Sequence, residues 1–113
     1  MTTDAIKAAY AAELKETIIV RRYTGAGINR PHFDAAARAR RGVYAAKDMV
    51  GTVQQGDTHV LVFTDDLIAR GFALPVLNTD KVVVKGKELA IINPGLRKAP
   101  DGTVIVNELQ ARG

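Results

Sequence analysis

Apolar and polar positions change period along the chain, and that change divides it into elements. From Thr3 to Leu14, Ile6, Ala9, Tyr10 and Leu14 recur at helical spacing among alanines, which predicts a short amphipathic helix. Thr3 is the expected N-cap, with Asp4 favourably placed in the first turn. About three turns with a thin apolar stripe need a surface to dock on. The pattern then turns β-like. Thr17-Ile18-Ile19-Val20-Arg21-Arg22-Tyr23 is β-branched and predicts a strand. Thr24-Gly25-Ala26-Gly27 and Asn29-Arg30-Pro31 mark a turn or longer loop.

Ala35 to Ala46 is read as a long strand, with Ala37, Ala39, Arg41, Val43 and Ala45 on one face and Arg38, Arg40 and Tyr44 on the other. A helix over Ala35–Arg41 competes, since Ala and Arg are good helix formers, while Gly42-Val43-Tyr44 continues poorly as helix. His59 to Thr64 predicts a central strand, because Val60-Leu61-Val62-Phe63 is apolar on both faces. Asp65 to Leu77 stays ambiguous, with one helical turn stopped by Gly71 as an option. Lys81–Lys85 and Glu88–Ile92 pair as a hairpin around Gly86. After Asn93-Pro94-Gly95 and a turn at Pro100-Asp101-Gly102, Thr103 to Gln110 forms a last strand. The expectation is a single domain: a helix over 1–16, and over 17–113 a small mainly-β barrel or sandwich of about six short antiparallel strands.

Composition changes this picture mainly by exclusion. The chain has 113 residues, enough for one core that buries roughly 65 % of the unfolded surface. Aromatics are only 5 % of residues and Trp is absent, so the core must rest on Val, Ile, Leu and Ala. With no cysteine, disulfides, thiolate metal sites and cysteine nucleophiles are excluded; with no serine, so is a serine nucleophile. The segment Met1-Thr2-Thr3-Asp4 is not basic-then-apolar, and no apolar run approaches the ~20 residues of a membrane span. No signal peptide and no membrane are therefore expected.

Charge is uneven. The chain carries +4 overall, yet between Lys15 and Lys47 eight basic residues face two acidic ones, a local excess of six. Arg21, Arg22, Arg38, Arg40 and Arg41 are the candidate basic contact surface, suited to phosphate or an acidic protein face. A solvated strand face is the plainer explanation. Tyr23 and Tyr44 give too little aromatic interleaving for a base-stacking platform. His32 and His59 have no metal-ligand spacing, Asp65-Asp66 lacks a third ligand nearby, and Gly25-Ala26-Gly27 lacks the residues of a phosphate cradle. No enzyme and no cofactor are expected. The remaining candidate is a long loop, Lys47, Asp48, Met49, Val50, Gly51, Thr52, Val53, Gln54, Gln55, Gly56 and Asp57, uncommonly long for a mere connection and bearing two glycines; a disordered surface loop is the equal alternative.

Four segments in order carry a resemblance: Ile18-Ile19-Val20-Arg21-Arg22-Tyr23-Thr24, Val53-Gln54-Gln55-Gly56-Asp57, Asp80 to Leu89, and Glu108-Leu109-Gln110-Ala111-Arg112-Gly113. Together they resemble the small head–tail joining proteins of tailed bacteriophages and prophages, also called head-closure, stopper or adaptor proteins. The resemblance implies a β-barrel that assembles as a homo-oligomeric ring below the portal, contacting portal or adaptor and tail proteins at the head–tail junction of the virion. It implies that the loop 47–57 faces the DNA channel and helps close it, with at most nonspecific DNA contact. A small basic nucleic-acid-binding barrel is the alternative.

Overall fold

The computed structural model describes residues 2–25, 27, 30–43 and 57–113. Six strands follow a short helix: α1 (Thr3–Glu13), β1 (Glu16–Tyr23), β2 (His32–Val43), β3 (Thr58–Phe63), a second helix α2 (Thr64–Ala69), β4 (Lys81–Val84), β5 (Lys87–Lys98) and β6 (Val104–Arg112). The strands close into an antiparallel barrel in the order β1-β2-β3-β6-β5-β4. A barrel, not a sandwich, is therefore the architecture, and closure removes most of the strand edges an open sheet would expose.

The barrel interior is packed. Ile18 and Val20, Ala35, Ala37 and Ala39, Val60 and Val62, Leu109 and Ala111 form one core with Leu67, Phe72 and Val76, which follow β3 in the chain. Alanines on β2 leave room for these bulky residues inside a narrow barrel. A second cluster lies on the outer side: Leu14, Leu61, Phe63, Ala99, Ile105 and Val106, with Ile6, Tyr10 and Ala11 of α1 packed on it. This is why β3 is apolar on both faces. One face fills the barrel, and the other is the docking surface that the thin stripe of α1 requires.

Local signals explain the boundaries. The β4–β5 turn is Lys85-Gly86, at φ 51 and 80, the left-handed pair that a two-residue hairpin demands. Arg70 caps the C-terminus of α2, and Gly71 at φ 78 turns the chain out of the helix, as its sequence position suggests. No helix among the described residues is long and apolar enough to cross a membrane.

Four expectations need correction. The N-cap of α1 is Thr2, whose hydroxyl accepts from Ala5 N at 3.1 Å; Thr3 Oγ1 instead donates to Asp101 at 2.6 Å, tying the helix to the β5–β6 turn. The strand begins at His32 rather than Ala35, because β1 pairs with β2 continuously from Glu16↔Ala39 to Tyr23↔His32. Its buried alternation stops at Ala39: Arg41 is exposed and Val43 is 88 % exposed, since β1 has ended opposite Ala39 and the strand passes the barrel rim. Finally, Asn93-Pro94-Gly95 does not end a strand. β5 runs through it, as long as β2 at twelve residues, with register shifts at Ile91/Asn93 and Arg97/Lys98. β4 pairs with β5 only as far as Ala90, so a proline lacking an N–H is tolerated where one side of the strand has no β partner.

Candidate functional site

The two candidate regions of the sequence meet different fates. Of the loop Lys47–Asp57, residues 47–56 lie outside the described residues; Asp57 alone is described, and it is buried. The connection 44–57 leaves and re-enters the barrel between Val43 and Thr58, which pair directly across β2 and β3. Its root is held by a polar cluster. The Asp57 carboxylate, 1 % exposed, accepts from Gln110 Nε2 at 2.8 Å and from Arg112 Nε and Nη2 at 2.7 and 2.9 Å. Gln110 Oε1 in turn accepts from Asn93 Nδ2 at 2.9 Å. β3, β5 and β6 are thus stitched together at the point where the long connection rejoins the barrel.

The basic block is not one surface. Arg21 donates Nε and Nη2 to Asp34 at 2.9 and 3.1 Å and reaches Glu88 at 3.4 Å, where the Tyr23 hydroxyl also donates. Arg22 has turned to a structural task. Its fork grips Asp80 at 2.9 and 2.8 Å, and it donates to the carbonyls of Ala73 and Pro75 at 2.7 and 3.0 Å. Asp80 also accepts from Leu77 N at 2.8 Å, so one part-buried ion pair shapes the segment before β4. Arg38 holds Asp66 through Nε and Nη2 at 2.9 and 3.0 Å, and Asp66 accepts from the Arg38 backbone N as well. Arg41 holds Glu16 at 2.5 and 2.7 Å. Arg40 differs: among the described residues its ion-pair contact is with Glu13, at 3.7 Å.

The local charge excess read from the chain is therefore largely cancelled in space by acids brought from other segments. Asp65 and Asp66 sit in the first turn of α2 and pair with Lys7 and Arg38. His32 and His59 each lie beside a carboxylate, Asp34 at 2.7 Å and Glu108 at 3.4 Å. Glu108 also accepts from Arg97, so His59 and Arg97 share one acid on the outer barrel face. Arg97 and Arg112 lie outside the basic block, so charge counted along the chain does not bring them to Glu108 and Asp57; the strand register does.

The arginine pairs set an acid limit. Hydrogen bonds from Arg41, Arg21 and Arg38 hold Glu16, Asp34 and Asp66 below the ordinary carboxylate range. The Thr3 hydroxyl and the Thr103 N–H push Asp101 down to about 2. A carboxylate with a depressed folded value contributes stability that is complete above its unfolded value, about 4, and is lost as pH falls through the folded value. Denaturant midpoints are thus expected to hold steady from pH 8 to 6 and to fall between roughly pH 4 and 2. Partial exposure of these pairs keeps the fall gradual. A midpoint unchanged down to pH 2 would contradict the assignment. The sequence matches no protein-family model, and no curated protein matches it.

Proposed function

We propose that this chain is a structural subunit of a tailed-phage or prophage head–tail connector, assembling as a ring below the portal to join head to tail and help close the DNA channel. The observation that carries the reading is the long connection 44–57, rooted at one rim of a rigid barrel between Val43 and Thr58 and clamped by Asp57. That arrangement supports the resemblance carried in order by the segments from Ile18 to Gly113. A packed barrel offers the stiffness a ring subunit needs, and in a ring every exposed group is repeated by symmetry. The nucleic-acid-binding alternative asks for guanidinium groups open to phosphate, whereas Arg21, Arg22, Arg38 and Arg41 are committed to carboxylates.

The test is assembly. Sedimentation of the full chain over a wide concentration range is expected to give a closed ring species, and immobilised portal rings are expected to retain it. A chain that stays monomeric throughout and ignores the portal would overturn the proposal. Deleting 51–56 removes residues between the clamped ends, so the barrel is expected to unfold at an unchanged denaturant concentration while particles leak DNA or fail to join tails. Normal infectious particles from that deletion would remove the loop from the closure role.

A further inference from the structure

Sorting the block's arginines by what holds them sets Arg40 apart. The other four each donate at least two hydrogen bonds to a carboxylate. Arg40 Nη1 lies 3.7 Å from Glu13 Oε2, beyond hydrogen-bond reach, and the two side chains are 62 % and 63 % exposed. Such a contact holds the guanidinium weakly. Among the described residues, no other ion pair or hydrogen bond holds its five donors, which leaves them to a ligand.

Arg40 borders a concavity of about 300 Å³ whose other walls include Arg41, His59 and Arg97, with Gly42 and Leu61 between them. The strand register explains the grouping. Arg40 pairs with Leu61 across β2 and β3, Gly42 with His59, and Leu61 with Glu108 across β3 and β6. Arg97 arrives from β5 and bonds to Glu108, which it shares with His59. Among the described residues, the lining holds three arginines and a histidine and no carboxylate. Arg97 gives its Nε to Glu108 and also bonds the Tyr10 hydroxyl, and of its five N–H donors some remain over.

We propose that this concavity binds a phosphate group, held by Arg40 and Arg97 with His59 beside them. Guanidinium forks arriving from separate strands suit a tetrahedral oxyanion with several acceptor oxygens, whereas one planar carboxylate is satisfied by one fork. The phosphate belongs either to a free polyphosphate or to a nucleic-acid backbone. The site goes beyond the connector reading and does not depend on it, since ring formation is measured separately by sedimentation.

The experiment uses the full chain at low ionic strength with two probes: inorganic pyrophosphate followed by calorimetry, and a short DNA duplex followed by fluorescence anisotropy. At least one is expected to bind, with R40Q/R97Q lowering its affinity tenfold or more. R40Q alone, at an exposed position, is expected to lower it severalfold without touching the fold. E13Q removes the acid beside Arg40 and should raise affinity about threefold, the scale of one exposed ion pair. R38Q, outside the lining, should change it less than about twofold. Pyrophosphate binding alone identifies a free anion as the source, and tighter duplex binding identifies the backbone; either supports the site. Failure of both probes, R40Q/R97Q binding like the unaltered chain, or tighter binding of a poly-glutamate peptide than of either probe overturns it.

Discussion

Replacing Asp80 by alanine is expected to cost about 3–5 kcal/mol of stability, the scale found when one partner of a buried ion pair is removed. The Asp80 side chain is 1 % exposed and receives both arms of Arg22 and the Leu77 N–H. Without it, the Arg22 guanidinium, 23 % exposed and lying 4.5 Å over the Phe72 ring, keeps only the Ala73 and Pro75 carbonyls. Loss should appear in the denaturant midpoint and, locally, as faster amide exchange from Phe72 to Asp80. The paired replacement of Arg22 by Met and Asp80 by Leu should recover much of the loss, because the two charges leave together. A D80A midpoint equal to that of the unaltered chain would show the pair to be screened by solvent.

Asp57 carries the second large effect, through its place at the root of the long connection. Substituting alanine removes the carboxylate that holds Gln110 and Arg112, and an expected loss of about 2 kcal/mol follows from losing a buried, charged hydrogen-bond acceptor, since Arg112 is 36 % exposed and can turn to solvent. Here the local readout lies elsewhere. Exchange should quicken first at the Thr58↔Val43 and Thr58↔Ala111 pairs, which flank the clamp. Asp57→Asn keeps the shape and one acceptor but loses the charge, so its midpoint should fall between the two. If connector assembly rests on a fixed loop root, D57A should impair portal binding at concentrations where the barrel is still folded. An unchanged exchange pattern at Thr58 would separate the clamp from the loop.

Much of the secondary structure was readable because its causes are short-ranged. A β-branched run at Thr17–Tyr23 and an all-apolar run at Val60–Phe63 specify extended chain with little help from the rest of the molecule. Gly86 and Gly71 turn the chain through left-handed conformations that glycine adopts freely. The alanine–arginine stretch was harder, since it satisfies a helix as well as a strand. It became β2 because β1 and β3 offer continuous pairing on either side, and that pairing is not encoded within the stretch itself. The same holds for β5, where Asn93-Pro94-Gly95 reads as punctuation until β6 supplies a partner.

The charged residues mark the other limit. Counted along the chain, the segment from Lys15 to Lys47 is strongly basic. In the fold, Arg38 meets an acid 28 residues away, Arg22 one 58 residues away, and Arg21 one 67 residues away. Distance along the chain says little about such encounters, and strand register decides them. The sequence alone determined a β-rich domain with a docked helix, an aliphatic core and no cysteine or serine chemistry, since these follow from residue type and local period. Only the tertiary structure decided that the strands close, that four arginines are spent on carboxylates, and that Arg40, His59 and Arg97 share one concavity. Those outcomes depend on which strands become neighbours, and neighbourhood is a property of the assembled barrel.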